Sequence, residues 1–345
     1  MRSDSKLVRG ADFVKLFLPG DAVRYHTRGM VKQLTRIDKE FRVLDEEFAM
    51  LPSESAYHRI VILIHSLIYS ISIAEKNGWD TGWIREKLPN AWRLHGSSTF
   101  GKHIQDWPRG YPGDHEIVDM IMDHTGASRN GSVGSLIGWY ALCSPIAQQH
   151  REKVRIQAEM IKDLCKRKRS ARIMSLACGS SRDIELAQRE ISGSDARVVL
   201  IDFDEVALQE SLSRLSRIKG RVETMHVNIR EIPKMLKGLG GFDLVYAGGL
   251  FDYLPDKIAR IILKHAAQAL GGSGQLMFTN IAAGNPFRSW LETMGNWRLI
   301  ERSEEEMKTL LSLTGLDERE LSLDPTGLAW VAKACKDQGM ARTRS

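Results

Sequence analysis

Two apolar runs carry the residues with the clearest chemistry. The first, ARIMSL (171–176), ends in the small-residue turn Ala177-Cys178-Gly179-Ser180-Ser181, and the second, ARVVLID (196–202), ends at the carboxylate of Asp202. An amphipathic stretch separates them. Small residues where a strand meets a helix let the backbone approach a ligand, and an acid closing the next strand can accept two ribose hydroxyls. The spacing is that of the first half of a nucleotide-binding βαβ unit. Phosphate chemistry is not indicated: only Gly179 of a G-x-G-x-x-G pattern is present, and a GK[ST] phosphate loop is absent.

The bulk numbers bound what surrounds this unit. The 345 residues suffice for one large domain or two modest ones, and 43% hydrophobic with 27% charged residues is ordinary for a soluble globular protein. The net charge of +6 invites a nucleic-acid reading, but the charge is scattered apart from KRKR (166–169) and an ARTRS tail. No basic-aromatic stripe accompanies it, so no nucleic-acid partner is expected. The four cysteines, Cys143, Cys165, Cys178 and Cys335, show no CxxC spacing. No metal site or disulfide framework is expected, and the usage fits a cytoplasmic location. The polar start MRSDSKLVRG reads as no secretory signal, and the apolar window 60–74 is short for a bilayer and contains His65. A buried helix, and no membrane partner, is the expectation.

The elements that must position the site divide near 166–170. Before that point the pattern is helical, over 21–47, 55–76, 81–88, 115–124 and 144–165. Within it lie a Gly/Pro/aromatic loop, DWPRGYPGD (106–114), and a glycine- and serine-rich stretch, 126–138, that reads as a flexible connection. After it, strands are expected at 172–177, 197–202, 222–228, 242–247 and 275–280, with helices at 182–191, 205–218, 232–236 and 256–270. Ser303 and Glu306 form a capping box that opens a further helix. A hairpin, 320–323 and 328–334, turns at Asp324-Pro325-Thr326-Gly327. The expected fold is α/β, a Rossmann-like seven-stranded, mostly parallel sheet with a terminal antiparallel hairpin, plus an N-terminal helical cap domain. The domains are a helical cap or substrate-binding region at 1–165, the cofactor domain at 170–336 and a tail at 337–345.

Five strand–helix units and a terminal hairpin resemble the class I S-adenosylmethionine-dependent methyltransferases, whose cofactor carries no phosphate. The resemblance implies that Ala177, Cys178 and Gly179 pass under the methionine portion and ribose. It implies that Asp202 accepts the ribose hydroxyls and Phe203 flanks the adenine. Asn228 and Ile229 would meet the adenine edge, and Tyr246, Ala247 and Gly248 would line the floor near the sulfonium. The chain departs from the family pattern: Ser175 stands at a usual acid, Ala177 and Ser181 at usual glycines, and Asn228 at a frequent Asp. Other readings stay open beside these. Asp204 reads as a plain helix N-cap, and Cys178 as a small packed thiol, since no His or Asp partner is evident.

Three further segments, RGYPGDHE (109–116), SPIAQQHREK (144–153) and YAGGLFDYL (246–254), precede TNIAAGNPFRSWLE and NWRLIERSEEE. Together they resemble the bacterial methyltransferase group of 3-hydroxy fatty acid methyl ester ("extracellular factor") synthesis, over roughly 105–335. This resemblance implies a helical cap over the carboxyl edge of the sheet and a small-molecule substrate. Tyr111 could then face the sulfonium and Asp114 the cofactor ammonium, with Asp114 as a helix N-cap the alternative. Arg109 or Arg151 could hold a carboxylate. His115, Tyr253 and Asp252 are the candidate acid–base residues, with Tyr111 and Asp114 the other candidates for a catalytic role. Three activities remain in view: O-methylation of a carboxylic acid, cyclisation of the cofactor itself to azetidine-2-carboxylate and methylthioadenosine, and cofactor binding by a non-catalytic regulator. A homodimer is compatible with the sequence.

Overall fold

The computed structural model describes residues 20–336 except Asn130, with side chains from Arg28 onward except that of Glu318. The polar N-terminal run and the ARTRS tail fall outside the described residues. The chain forms two compact units, one of residues up to Ser144 with Pro286–Arg298, the other of Pro145–Asn285 with residues from Leu299 onward. The division thus lies at Ser144/Pro145, so the long helix read as the end of the cap belongs to the sheet unit.

The helical unit contains α1 (Gly20–Glu47), α2 (Ser53–Lys76), α3 (Thr81–Glu86), α4 (Pro89–His95), α5 (Thr99–Asp106), α6 (His115–Asp123), α7 (Val133–Cys143) and α14 (Arg288–Thr293). Among the described residues α2 alone is long and apolar enough to cross a membrane. Its Ala56, Ile60, Ile64, Leu67, Ile71 and Ala74 are buried at helical spacing, while Ile62 and Tyr69 are exposed. The stretch 126–138, expected to be a flexible connection, instead contains the start of α7, whose N-cap Ser132 accepts from the Ser135 N–H. Its glycines serve close packing: a Cβ on Gly134 would fall 1.8 Å from Ser97 Oγ, and one on Gly138 2.6 Å from Ser98 Oγ. Helices α4 and α5 were also not anticipated. At 7 and 8 residues they are too short to show an apolar period.

His95 in α4 is a polar pin in this unit. Its Nδ1–H donates to Ala91 O (2.7 Å), and Nε2 accepts from Trp290 Nε1 (2.9 Å). Burial holds its pKa down at about 4, against an ordinary 6.5. The unfolded chain therefore binds a proton between pH 6.5 and 4 that the folded unit refuses, so the neutral ring's contribution is present above pH 6.5 and is lost on acidification. The loss amounts to about 3 kcal/mol by pH 4. Thermal unfolding followed by tryptophan fluorescence should show this slope in the wild type and a flatter one in His95→Gln.

The sheet unit opens with α8 (Pro145–Arg167), followed by β1 (Arg172–Leu176), α9 (Arg182–Leu186), α10 (Gln188–Ser192), β2 (Arg197–Asp202), α11 (Glu205–Arg214), β3 (Val222–His226), α12 (Ile232–Lys237), β4 (Phe242–Ala247) and α13 (Asp256–Ala269). β5 (Leu270–Ile281), α15 (Glu304–Ser312), β6 (Glu318–Leu323) and β7 (Ala329–Cys335) complete it. The strand order is β3-β2-β1-β4-β5-β7-β6, with β1 to β5 parallel and β7 antiparallel to both neighbours. This is the expected seven-stranded Rossmann-like sheet, with the helical region preceding it. Alternate strand residues feed two cores. Met174, Leu176, Val199, Ile201, Val245 and Phe278 pack under α12, α13 and α15. Ile173, Val198, Leu200, Leu244, Tyr246 and Met277 pack under α8 to α11. The capping box forms as read, Ser303 accepting from the Glu306 N–H and Glu306 reaching back to Ser303 N.

Arg302, 1% exposed, ties the loop after β4 to the end of β5. It donates to the carbonyls of Phe251 (2.8 Å) and Leu254 (2.5 Å), to the Asn280 side chain and to Asp256 (3.0 Å). A guanidinium suits this place because its planar fork can satisfy several oxygens at once.

Candidate functional site

At the carboxyl ends of β1, β2 and β4 the sheet unit builds a cradle from backbone geometry. In the turn after β1, Ala177, Gly179 and Ser181 all take positive φ (53°, 54° and 57°). Two of these are non-glycine residues in a region that costs about 1 kcal/mol or more each, so the turn is held by its surroundings. Cys178 N–H donates to Ile201 O (3.1 Å), and Ser211 Oγ donates to Gly179 O (2.8 Å). Gly179 N–H donates to Asp202 Oδ2 (2.8 Å), and Asp204 N–H to Asp202 Oδ1 (3.0 Å).

Asp202 is thereby fixed in orientation but not used up. Each carboxylate oxygen takes one backbone N–H and retains a further acceptor site. Burial raises its pKa, and the bonds from Asp204 and Gly179 oppose that rise. Next to it Phe203 is 45% exposed, an aromatic face on the rim. Asp204 is the N-cap of α11, accepting from Val206 N–H (3.0 Å). Cys178 is a neutral packed thiol: burial, then the nearby Asp202, pushes its pKa well up, which removes nucleophilic character.

The remaining positions expected at the cofactor take varied roles. Asn228 is exposed and its Oδ1 accepts from Arg230 N–H (3.1 Å), closing a small turn after β3; Ile229 beside it is half-buried. Tyr246 and Ala247 lie on β4, each 1% exposed. At Gly248 the amide end of Gln157 packs against the backbone, and a Cβ there would fall 2.0 Å from Gln157 Nε2, so the Gln157 side chain would have to shift. Thr279 Oγ1 donates to Gly248 O (2.8 Å), fixing the same spot from β5.

Helix α8 supplies a buried polar face that the sequence reading missed. Gln149, Lys153 and Gln157, four residues apart, are all buried. Lys153 Nζ forms an ion pair with Asp252 Oδ2 (2.7 Å), and Asp252 Oδ1 accepts from Ile281 N–H (2.7 Å). Asp252 is therefore committed to structure, and its role as a candidate base falls away. The amide of Gln149 has no hydrogen-bond partner among the described residues although it is fully buried. Tyr253 is half-buried in the turn Leu250–Tyr253.

In the helical unit, Asp114 caps α6, accepting from Ile117 N–H (3.1 Å), and meets His103 Nε2 at 2.9 Å. This is the helix-cap alternative in its full form. Arg109 lies 3.6 Å from Glu116, which in turn lies 3.7 Å from His103 Nδ1. His115 is buried in the first turn of α6, and Tyr111 is half-buried in the loop before it. Among the described residues no group of three or more His, Cys, Asp or Glu side chains could hold a metal ion.

Within the sheet unit, residues 173–274 match a family model described as a methyltransferase domain. Over those residues the chain is similar to methyltransferase domains. No curated protein matches the chain. Among solved structures, a possible exported protein from Bordetella parapertussis has the same fold at 15% identity and TM-score 0.56, covering 84% of this chain and 98% of its own. An O-methyltransferase family protein from Burkholderia thailandensis is similar at 14% identity and TM-score 0.48, covering 80% and 73%. A 1,6-didemethyltoxoflavin-N1-methyltransferase from the same organism, with bound S-adenosylhomocysteine, aligns at 18% identity and TM-score 0.39, over 53% and 78%.

The residues of this segment fit S-adenosylmethionine, the cofactor expected from the sequence. Its carboxyl edge offers an acid with spare acceptor sites, an exposed ring beside it and a glycine pressed close to Gln157. Of its buried acids, Asp202 at this edge has no lysine or arginine ion-pair partner among the described residues, whereas Asp243 and Asp252 are paired with Lys168 and Lys153. Such a site favours a cationic ligand over an anionic one.

Proposed function

We propose that this protein methylates a small molecule, and that its acceptor is a carboxylic acid of the 3-hydroxy fatty acid type, with methyl ester as product. The observation that carries the cofactor half of this reading is Asp202, held by two backbone N–H groups beside Phe203 at the end of β2. Bound S-adenosylmethionine supplies an electrophilic methyl on a sulfonium. Asp202 would hold the ribose hydroxyls, Phe203 the adenine, and the turn 177–181 the backbone surface against which the ligand lies. The protein's contribution to a displacement of this kind is positioning the acceptor about 3 Å from the methyl and excluding water.

The acceptor assignment is supported by how the acid nearest the end of β4 is used. Asp252 is neutralised by Lys153 and bonded to the backbone, and a carboxylate acceptor needs no general base. We propose further that the protein works in the reducing cytoplasm, where its four free thiols would persist.

Product analysis tests the reading. Incubated with S-adenosylmethionine and a 3-hydroxy fatty acid, the protein should give S-adenosylhomocysteine and the methyl ester, seen by mass spectrometry, and neither without the acid. Methylthioadenosine and a four-membered amino acid from the cofactor alone would overturn it in favour of cyclisation. Tight cofactor binding with neither product across a panel of carboxylic acids would point to a regulator.

A further inference from the structure

The helical unit presents a charged face that the fold does not balance. Arg28, Lys32, Arg36 and Lys39 recur at helical spacing on α1, so they share one side of it along about 16 Å. All four are exposed, and with Val31 and Thr35 they line an open groove of about 460 Å³. None of them has an ion-pair partner among the described residues. The acids of α1 from Arg28 onward are engaged elsewhere: Asp38 turns inward to Asn90, and Asp45, Glu46 and Glu47 pair with Arg93, Arg42 and Arg59. Glu40 alone among them is exposed and unpaired.

Beside this face lies an apolar one. Gln33 Nε2 donates to Ser70 Oγ (2.8 Å) and Arg59 to Glu47 (3.0 Å), so α2 runs antiparallel to α1 and adjoins it. Its outward side carries Ile62 and Tyr69, each 65% exposed. Between Glu54 and Glu75, Arg59 is its only Lys, Arg, Asp or Glu.

Charge separates the occupants such a face could take. A second copy docked through the same face would set four cations against four. The segment preceding α1, MRSDSKLVRGADFVKLFLP, carries four basic residues against two acids, so it too is repelled. A nucleic acid complements the cations but gains nothing specific from an exposed isoleucine. An anionic bilayer surface answers both features. Its phosphates meet the guanidinium and ammonium groups, whose aliphatic stems lie with Ile62 and Tyr69 at the headgroup level.

We propose that the outward face of α1 and α2 docks the protein on an anionic lipid surface, through Arg28, Lys32, Arg36 and Lys39 with Ile62 and Tyr69. This departs from the sequence expectation of no membrane partner, which concerned a span: a helix lying on a bilayer needs none. Long-chain acids collect in such a surface, which would bring acceptor and protein together. That consequence rests on the acceptor reading above, whereas the docking itself does not.

The test is co-sedimentation of the full chain, without cofactor or acceptor, with vesicles of phosphatidylcholine alone and of phosphatidylcholine mixed with phosphatidylglycerol. The wild type should partition onto the mixed vesicles at least about tenfold more strongly, and raised salt should weaken that partition. Lys32→Glu/Arg36→Glu, at two exposed positions, should lose at least about tenfold on the mixed vesicles. Ile62→Ser/Tyr69→Ser should lose at least about threefold while keeping the salt dependence. Equal partition of the wild type onto both vesicle types, or none onto either, depends on no variant's folding and would overturn the proposal, leaving the methyl-transfer reading untouched. So would a Lys32→Glu/Arg36→Glu protein that melts and binds as the wild type does. Displacement of the wild type from the vesicles by a random-sequence DNA duplex, with Ile62→Ser/Tyr69→Ser binding vesicles unchanged, would overturn it in favour of a nucleic-acid surface.

Discussion

Asp202→Ala should lower affinity for S-adenosylmethionine by more than about tenfold, corresponding to at least about 1.5 kcal/mol for two lost charge-assisted hydrogen bonds. The same substitution strips the acceptors from Gly179 N–H and Asp204 N–H, so the turn after β1 should loosen as well. Asp202→Asn separates the two effects. It retains one acceptor oxygen but aims an NH2 group at one of the two backbone donors, so part of the binding loss should remain with a smaller loss in melting temperature. Unchanged affinity in Asp202→Ala would remove the ribose assignment. The measurement is equilibrium binding alongside thermal unfolding of the same samples.

The largest effect on stability should come from the Lys153–Asp252 pair. Both side chains are 3% exposed, and removing one leaves the other as an uncompensated buried charge. Lys153→Met or Asp252→Ala should each cost about 3–5 kcal/mol. Asp252→Ala also orphans Ile281 N–H, so it should be the worse of the two. The double variant Lys153→Met/Asp252→Leu removes both charges together and should recover much of that loss. Denaturant unfolding of the four proteins checks this. Two single variants as stable as the wild type would mean that the pair does not hold α8 against the end of β5.

The parts of the fold that were legible are those in which local pattern and final environment agree. β2 and β4 form over the expected residues because each is a nearly continuous apolar run, and strands buried on both faces have that composition. The box at Ser303 and Glu306 and the cap at Asp204 are decided by contacts within one turn, so the sequence suffices to place them. The three short helices α4, α5 and α7 were hidden for the opposite reason. Gly134 and Gly138 look like flexibility in a sequence, but here they let α7 approach Ser97 and Ser98.

The site follows the same division. Ala177, Gly179 and Asp202 could be found because a strand, a tight turn and a terminal acid follow one another along the chain. Gln149, Lys153 and Gln157 could not, since polar residues four apart on a helix ordinarily mark its solvated face. Only the packing of α8 within the sheet unit makes that face an interior one. Asp183 was hidden by a similar ambiguity. An acid in a first helical turn is common for local electrostatic reasons, and its burial depends on the packing of α9 within the sheet unit.

The central claim is that the cradle at the ends of β1, β2 and β4 holds S-adenosylmethionine, and titration calorimetry of the wild-type protein tests it most directly. The account predicts saturable one-to-one binding of S-adenosylmethionine and of S-adenosylhomocysteine, each displacing the other, with no heat from NAD or ATP under the same conditions. Absence of binding by both sulfur nucleotides, or preferential binding of a phosphate-bearing nucleotide at the same site, would contradict it.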